Sequence, residues 1–320
     1  MGRGSESALA HLKVVVRVAQ EVEGTTRFFS CMRPQNPHSV LVKPIRALHI
    51  GSEPWGFSFY FLDLNPRSRV DALEYSHNHD DDPFPSGEAL GLLGMRRQLS
   101  SALTTTLTDI SRHSLLLPHD KNFPMDSPDR PAFESNRPLP PHMQSLPTKT
   151  SDRVYSIVFC NFIRLQDPTD DVRKWESGRL LVSELILGLS FIKPGGSILV
   201  SLRHLENWNT FATIYKFTRF STVSLYKPAC HYAIRSGFYL LARDVQPELA
   251  ECKDWVEELK RAWYHMTFEG LHGFGDYVDA GENLDVDEVL NEWGEDFLMM
   301  GENVWRRQRD ALRTKGWADE

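Results

Sequence analysis

The 320-residue chain has only four cysteines, Cys31, Cys160, Cys230 and Cys252, far apart and without a CxxC pair. That excludes a disulfide framework and a cysteine zinc site, and it points to reduced thiols in an intracellular protein. No apolar run approaches the roughly 20 residues that a membrane-spanning helix needs, so no membrane partner is expected. The N-terminal stretch lacks signal-peptide anatomy, because Lys13 and Arg17 break its apolar run and no small-residue cleavage site follows. Glu6 argues against N-myristoylation at Gly2. There is no internal repeat and no GxGxxG, so NAD is not the first choice of cofactor. Strong positive charge is absent too. The net charge is −7 and the pI about 6.0, which is not the overall balance of a nucleic-acid binder.

What is present is concentrated between Ala47 and Tyr75, ALHIGSEPWGFSFYFLDLNPRSRVDALEY. Ala47–Ile50 suits a buried strand. Gly51, Pro54 and Gly56 punctuate a turn, Phe57–Leu62 starts a helix, and Val70–Leu73 is a second strand ending at Glu74. Strand, glycine turn, helix, strand, acid is the order in which a Rossmann-like fold builds a pocket for an adenosine-bearing cofactor. An acid about 20 residues past the glycines is placed to accept the ribose hydroxyls. Further on, Tyr155–Asn161 is a strand ending in a polar residue. Leu180–Ile192 is an amphipathic helix stopped by Pro194, Gly195 and Gly196, and Ser197–Leu202 is another strand.

The turn resembles the DLGxxPGGF signature of the FtsJ-like family of S-adenosylmethionine-dependent ribose methyltransferases. Gly51, Pro54, Gly56 and Phe57 match it, while His49 replaces the Asp and Trp55 the first Gly of the pair. Lys193-Pro-Gly-Gly196 before a strand is frequent in class I methyltransferases. Lys227-Pro228 and Arg235-Ser-Gly-Phe-Tyr-Leu-Leu-Ala242 come closest to a fungal branch with KPxxxHAxRSSFYxVA. The resemblance spans roughly residues 45 to 245. It implies an α/β, Rossmann-like class I methyltransferase fold, with a mostly parallel twisted sheet and an antiparallel last strand. It also implies S-adenosyl-L-methionine as cofactor, held by Gly51, Ser52, Pro54, Gly56, Phe57, Glu74, Asp109 and Asn161. Asp109, after a third strand over Thr104–Thr108, would accept from the adenine amino group; a plain turn aspartate is the other reading.

The same resemblance exposes a gap. FtsJ-like ribose methyltransferases use a Lys-Asp-Lys-Glu tetrad. Here Asn161 stands at the Asp position, Ser201 at the second Lys and Gly237 at the Glu. The first Lys would lie upstream of Ala47, where the pattern does not choose between Lys13 and Lys43. A general acid or base contributes about 10²–10⁴-fold in rate, so efficient ribose methylation is not expected. His204, with Arg203 beside it, is the candidate substitute base. Lys227 either neutralises a phosphate or caps a strand end. Two functions follow: an S-adenosylmethionine-dependent methyltransferase with a degenerate tetrad, acting on RNA, or a catalytically inactive binding or scaffold protein on the same fold.

Around this core we expect an N-terminal helical extension over 1–39, with a helix from Ser7 to Val22, a methyltransferase domain over 40–245, and a C-terminal helical module over 246–320. Eight prolines between Pro118 and Pro147 mark an insertion over 118–150. Ser86 can cap a helix reaching Arg97. His77, His79 and Asp80–Asp82 fit a surface loop without fixed geometry, so no metal is expected. Stripes at Trp255–Met266, Val286–Phe297 and Val304–Leu312 predict three C-terminal helices. Ser201–Arg243 carries six Lys or Arg and one acid, a candidate RNA-facing surface. Asp244–Glu320 carries twenty acids and eight bases, a candidate surface for a protein partner.

Overall fold

A computed structural model describes residues 3–30, 45–51, 55–74, 103–106, 113–114, 144–145, 154–161, 176–230, 232–268 and 284–316. In chain order its elements are α1 (Arg3–Thr26), β1 (Arg46–Gly51), α2 (Gly56–Leu64), β2 (Arg69–Glu74), β3 (Leu103–Thr106), β4 (His113–Ser114), β5 (Gln144–Ser145) and β6 (Tyr155–Asn161). Then follow α3 (Glu176–Phe191), β7 (Ile192–Arg203), α4 (Trp208–Thr218), β8 (Thr222–Tyr226), β9 (Gly237–Val245), α5 (Ala250–Phe268) and α6 (Val286–Thr314). The helix expected from Ser86, the His77–Asp82 cluster, Asp109 and most of the proline-rich stretch lie outside the described residues.

Seven strands form one sheet in the order β3-β2-β1-β6-β7-β9-β8. Pairings from β3 across to β7 are parallel, and β9 runs antiparallel to both β7 and β8. This is the class I methyltransferase architecture, with the last strand of the chain inserted against the direction of the rest. The sequence forms it because parallel central strands must be apolar on both faces. Every residue of β6 is buried. Alternate side chains serve opposite layers. Ala47, Phe159, Leu199 and Leu241 face α1 and α2, whereas Leu48, Val158, Val200 and Leu240 face α3 to α6.

The helix predicted from Ser7 to Val22 is longer at both ends. It presses Leu12, Val15, Val16, Ala19 and Val22 into the same cluster as Phe57 and Phe61 of α2. On the opposite layer, Trp255 and Trp263 of α5 and Val289, Trp293 and Phe297 of α6 share the main core with the sheet. The second and third C-terminal stripes belong to one continuous 29-residue helix rather than two. No proline interrupts it, and its Gly301 sits against the Trp305 ring instead of breaking the helix.

Candidate functional site

The chain runs outward from β1 to β2 and β3, then crosses back to β6 on the other side of β1. The carboxyl ends of β1 and β6 therefore flank the topological switch point, where open α/β sheets leave a crevice for ligands. Gly51 pairs with Glu74 on one side and with Asn161 on the other, so three neighbouring strands end level. Gly51 has φ of 149°, a conformation that L side chains avoid and glycine adopts freely as the chain leaves the strand. Asn161 is 2% exposed, and its Oδ1 has no hydrogen-bond partner among the described residues. An unpaired buried acceptor costs about 1–3 kcal/mol. This one sits at the switch point, where the described residues supply it no donor. Ser52, Pro54 and Asp109 lie outside the described residues, and Glu74 is placed by its backbone register alone.

The remaining residues of the turn have reasons of their own. Gly56 opens α2 directly beneath α1: a Cβ there would lie 2.7 Å from the Val15 Cβ and 3.0 Å from the Val16 nitrogen. Its missing side chain lets two helices touch. Phe57 is fully buried and packs on Phe29, Phe159 and Tyr239. Trp55 is buried too, edge-on to His49 with ring centroids 4.8 Å apart, so its ring belongs to the α1–α2 layer. His49 bonds Ser58 Oγ through Nδ1 at 2.6 Å, a β1–α2 link with no signal in the sequence pattern. Its Nε2 has no partner among the described residues. Burial lowers its pKa to about 3, which leaves the imidazole neutral.

Beyond β6 the edge opens into a cleft of about 280 Å³. Ser201 and Gly237, two of the residues that the sequence resemblance aligned with the tetrad, lie on its wall together with Arg203, Tyr232, Arg235 and Ser236. The sheet brings the first two together because β7 and β9 are paired, Ser201 with Tyr239 and Arg203 with Gly237. Asn161 follows Cys160, which pairs with Val200, so it sits one strand away from Ser201. It is buried and is not on the cleft wall. Burial raises the pKa of Tyr239 and of Tyr232, so neither phenol ionises readily. Tyr232, Arg235 and Ser236 line this cleft from the loop before β9, which carries no periodic signal.

His204 stands just outside, in the turn after β7. It is held between Glu206 Oε1 at 3.1 Å and the cleft residue Ser236 at 3.2 Å, and its side chain is 61% exposed. Lys227 is 2% exposed and donates to the carbonyls of Arg235 and Gly237, which fastens β8 to the start of β9. Burial lowers its pKa to about 8. Of its two expected roles it takes the structural one. Arg307 of α6 closes the arrangement by donating to the Lys227 carbonyl and covering the Tyr226 ring at 5.2 Å.

The basic stretch from Ser201 to Arg243 is largely engaged inside the molecule. Lys216 pairs with Glu258 and Arg219 with Glu292, each at 2.8 Å. Arg243 donates to the Thr26 carbonyl and lies over Phe28. With Lys227 also engaged, Arg203 and Arg235 are the two cations of that stretch without an ion pair or backbone acceptor among the described residues, and both line the cleft. No group of three or more metal-ligating side chains occurs among the described residues.

No family model matches the chain, and no curated protein does. Among solved structures it is similar to a ribosomal RNA methyltransferase of Plasmodium falciparum, with TM-score 0.40 and 11% identity over 72% of this chain and 97% of that one. It is also similar to an S-adenosylmethionine-dependent methyltransferase of Methanococcus maripaludis, with TM-score 0.39 and 11% identity over 77% and 90%. An rRNA methylase of Streptococcus thermophilus gives TM-score 0.31 and 11% identity over 64% and 90%. At such scores none of them adds to what this chain's own strand order shows.

Proposed function

We propose that the protein is an S-adenosylmethionine-dependent methyltransferase of the FtsJ-like type whose acceptor side has lost the ribose-activating tetrad. The observation that carries this reading is the level row of Glu74, Gly51 and Asn161 at the switch point, with the Asn161 Oδ1 buried and unpaired. Gly51 gives the backbone conformation in which a ligand can approach the strand end. Asn161 offers an acceptor, and Glu74 is the acid for the ribose. S-adenosylmethionine would supply an activated methyl group, so the chain's task is to align donor and acceptor, which supplies much of the acceleration. The cleft beside this row is the place for the acceptor, and Arg203 and Arg235 give it a positive rim for an RNA phosphate.

Calorimetry with S-adenosylmethionine tests the cofactor half. Binding is expected, and Glu74→Ala should weaken it by about 1.5–3 kcal/mol, the range for hydrogen bonds to a charged group. No binding by the wild-type chain would remove the reading. A methyl-transfer assay with radiolabelled cofactor tests the acceptor half, and very weak or no transfer to ribose hydroxyls of capped or ribosomal RNA is expected. Brisk transfer that persists in His204→Ala would show that another base acts.

The second reading is a catalytically inactive binding protein. It is favoured by the cleft wall itself, whose described residues offer hydroxyls, arginines and backbone but no carboxylate, imidazole or amine able to take a proton. Binding of S-adenosylmethionine without transfer to any acceptor would select it.

A further inference from the structure

Helix α6 has an inner and an outer side. Inward, Trp293 and Phe297 pack on Phe211 with ring centroids 5.3 and 4.7 Å apart. Outward, Val286, Leu290 and Leu298 are 46, 47 and 59% exposed. They follow a four-residue spacing, with Gly294 between the second and the third, and so form one slanted ridge.

Gly294 is the informative position. A Cβ there would meet nothing within 4 Å, whereas one at Gly301 would lie 2.7 Å from the Trp305 ring. Packing inside the molecule requires Gly301. Nothing inside the described molecule requires Gly294, although glycine in a helix interior weakens the helix relative to alanine. A glycine at the centre of an exposed apolar ridge lets a foreign backbone come close.

Charge decides what that backbone carries. From Val286 to Trp305 the chain has six acids and no Lys, Arg or His. Asp287 and Glu288 suit the positive end of the helix dipole. Glu295, Asp296 and Glu302 lie past the first turn, so the dipole does not explain them. Nucleic acid and anionic lipid are repelled by such a surface. A second copy docking through the same face would set these acids against their own counterparts.

We propose that the outer face of α6 is a docking ridge for a basic amphipathic helix of another protein, whose apolar stripe covers Val286, Leu290 and Leu298 and crosses closest at Gly294. This does not depend on the cofactor reading.

The probe is a helical peptide of about 18 residues, with leucine on one face at i, i+3, i+4 and i+7 and lysine elsewhere. The controls are a scrambled peptide of the same composition and a leucine–glutamate counterpart. Fluorescence anisotropy with the full chain should show binding of the first peptide alone. Leu290→Ser/Leu298→Ser should weaken it by about tenfold or more. Gly294→Ala should also weaken it while raising the thermal midpoint of the free protein, an opposition that a purely structural role would not produce. Equal binding of the scrambled peptide, or unchanged affinity in the Gly294→Ala variant, would overturn the proposal. So would a dimer in light scattering that Leu298→Ser splits, because the ridge would then belong to a second copy.

Discussion

The β2–β1–β6 side of the carboxyl edge and the β7–β9 side are built differently. The first ends three strands level, leaves a buried acceptor unpaired at Asn161, and rests on a layer of aromatic rings behind His49 and Phe57. The second is an open cleft with hydroxyls and two arginines on its wall, and the buried Lys227 at the start of the loop behind it is tied to backbone. A frame for holding a nucleoside-bearing ligand depends on where strands end and what packs behind them. Proton-transfer chemistry depends on single side chains. The proposed function assigns the cofactor to the first side and the acceptor to the second, so each half can be perturbed without the other.

The largest expected effect falls on the first half and is driven by acid. The His49 pKa is about 3 in the folded chain against 6.5 when exposed, because burial disfavours the imidazolium. Between those values the unfolded chain binds more protons, so stability falls as pH drops from 6.5 towards 3. By about pH 4.5 the loss is roughly 2–3 kcal/mol. Urea midpoints at neutral and acid pH should show it, and His49→Asn should flatten the slope. A wild-type chain with no acid dependence in that window would contradict the buried neutral imidazole.

Next comes Gly56→Ala. With Val15 2.7 Å from the new Cβ, α1 must shift, and overpacking of this kind costs about 1–3 kcal/mol. Thermal unfolding would register it as a lower midpoint, with weaker S-adenosylmethionine binding alongside. An unchanged midpoint would mean that α1 does not lie so close.

How much of this was legible in the sequence depends on distance along the chain. The strands over Ala47–Ile50, Val70–Leu73, Tyr155–Asn161 and Ser197–Leu202 were readable because their apolar runs are local, although β7 begins at Ile192 and takes in the Pro194–Gly196 run that read as a helix stop. The part of Gly56 in helix packing was not, because its partner Val15 lies 41 residues earlier in the numbering. The internal contacts of the basic stretch were hidden for the same reason. Lys216, Arg219 and Arg243 find their partners 42, 73 and 217 residues away, and a local charge count cannot see those contacts. The two final stripes of α6 read as separate helices, and the distant partner that packs on Gly301 between them, Leu205, lies 96 residues earlier.

Asn161→Leu should separate the halves with a smaller effect. It removes an unpaired buried polar atom, so the fold should hold or gain stability. S-adenosylmethionine affinity should drop by about 1 kcal/mol, the value of a typical hydrogen bond. Isothermal calorimetry and thermal melts on the same preparation give both readings, and loss of stability with unchanged affinity would invert the assignment. The smallest effect is expected from Gly237→Ala in the second half. A Cβ there would approach nothing nearer than the Leu202 carbonyl at 3.8 Å, so stability should stay within about 0.5 kcal/mol, in contrast to Gly56→Ala. A large fall in midpoint would show that the cleft is more tightly built than its wall indicates.

Helix α1 also sets a timetable. Glu21 accepts from the Ala229 amide at 2.8 Å, a contact spanning 208 residues, and His11 meets Tyr232 across 221. At about 5–20 residues per second on the ribosome, the partners of α1 emerge roughly 10–40 seconds after it. Throughout that interval Val15, Val16 and Val22 have no finished sheet to cover them. A chain arranged in this way closes its first layer last, so newly made protein should depend on chaperone protection during synthesis more than its finished stability would indicate.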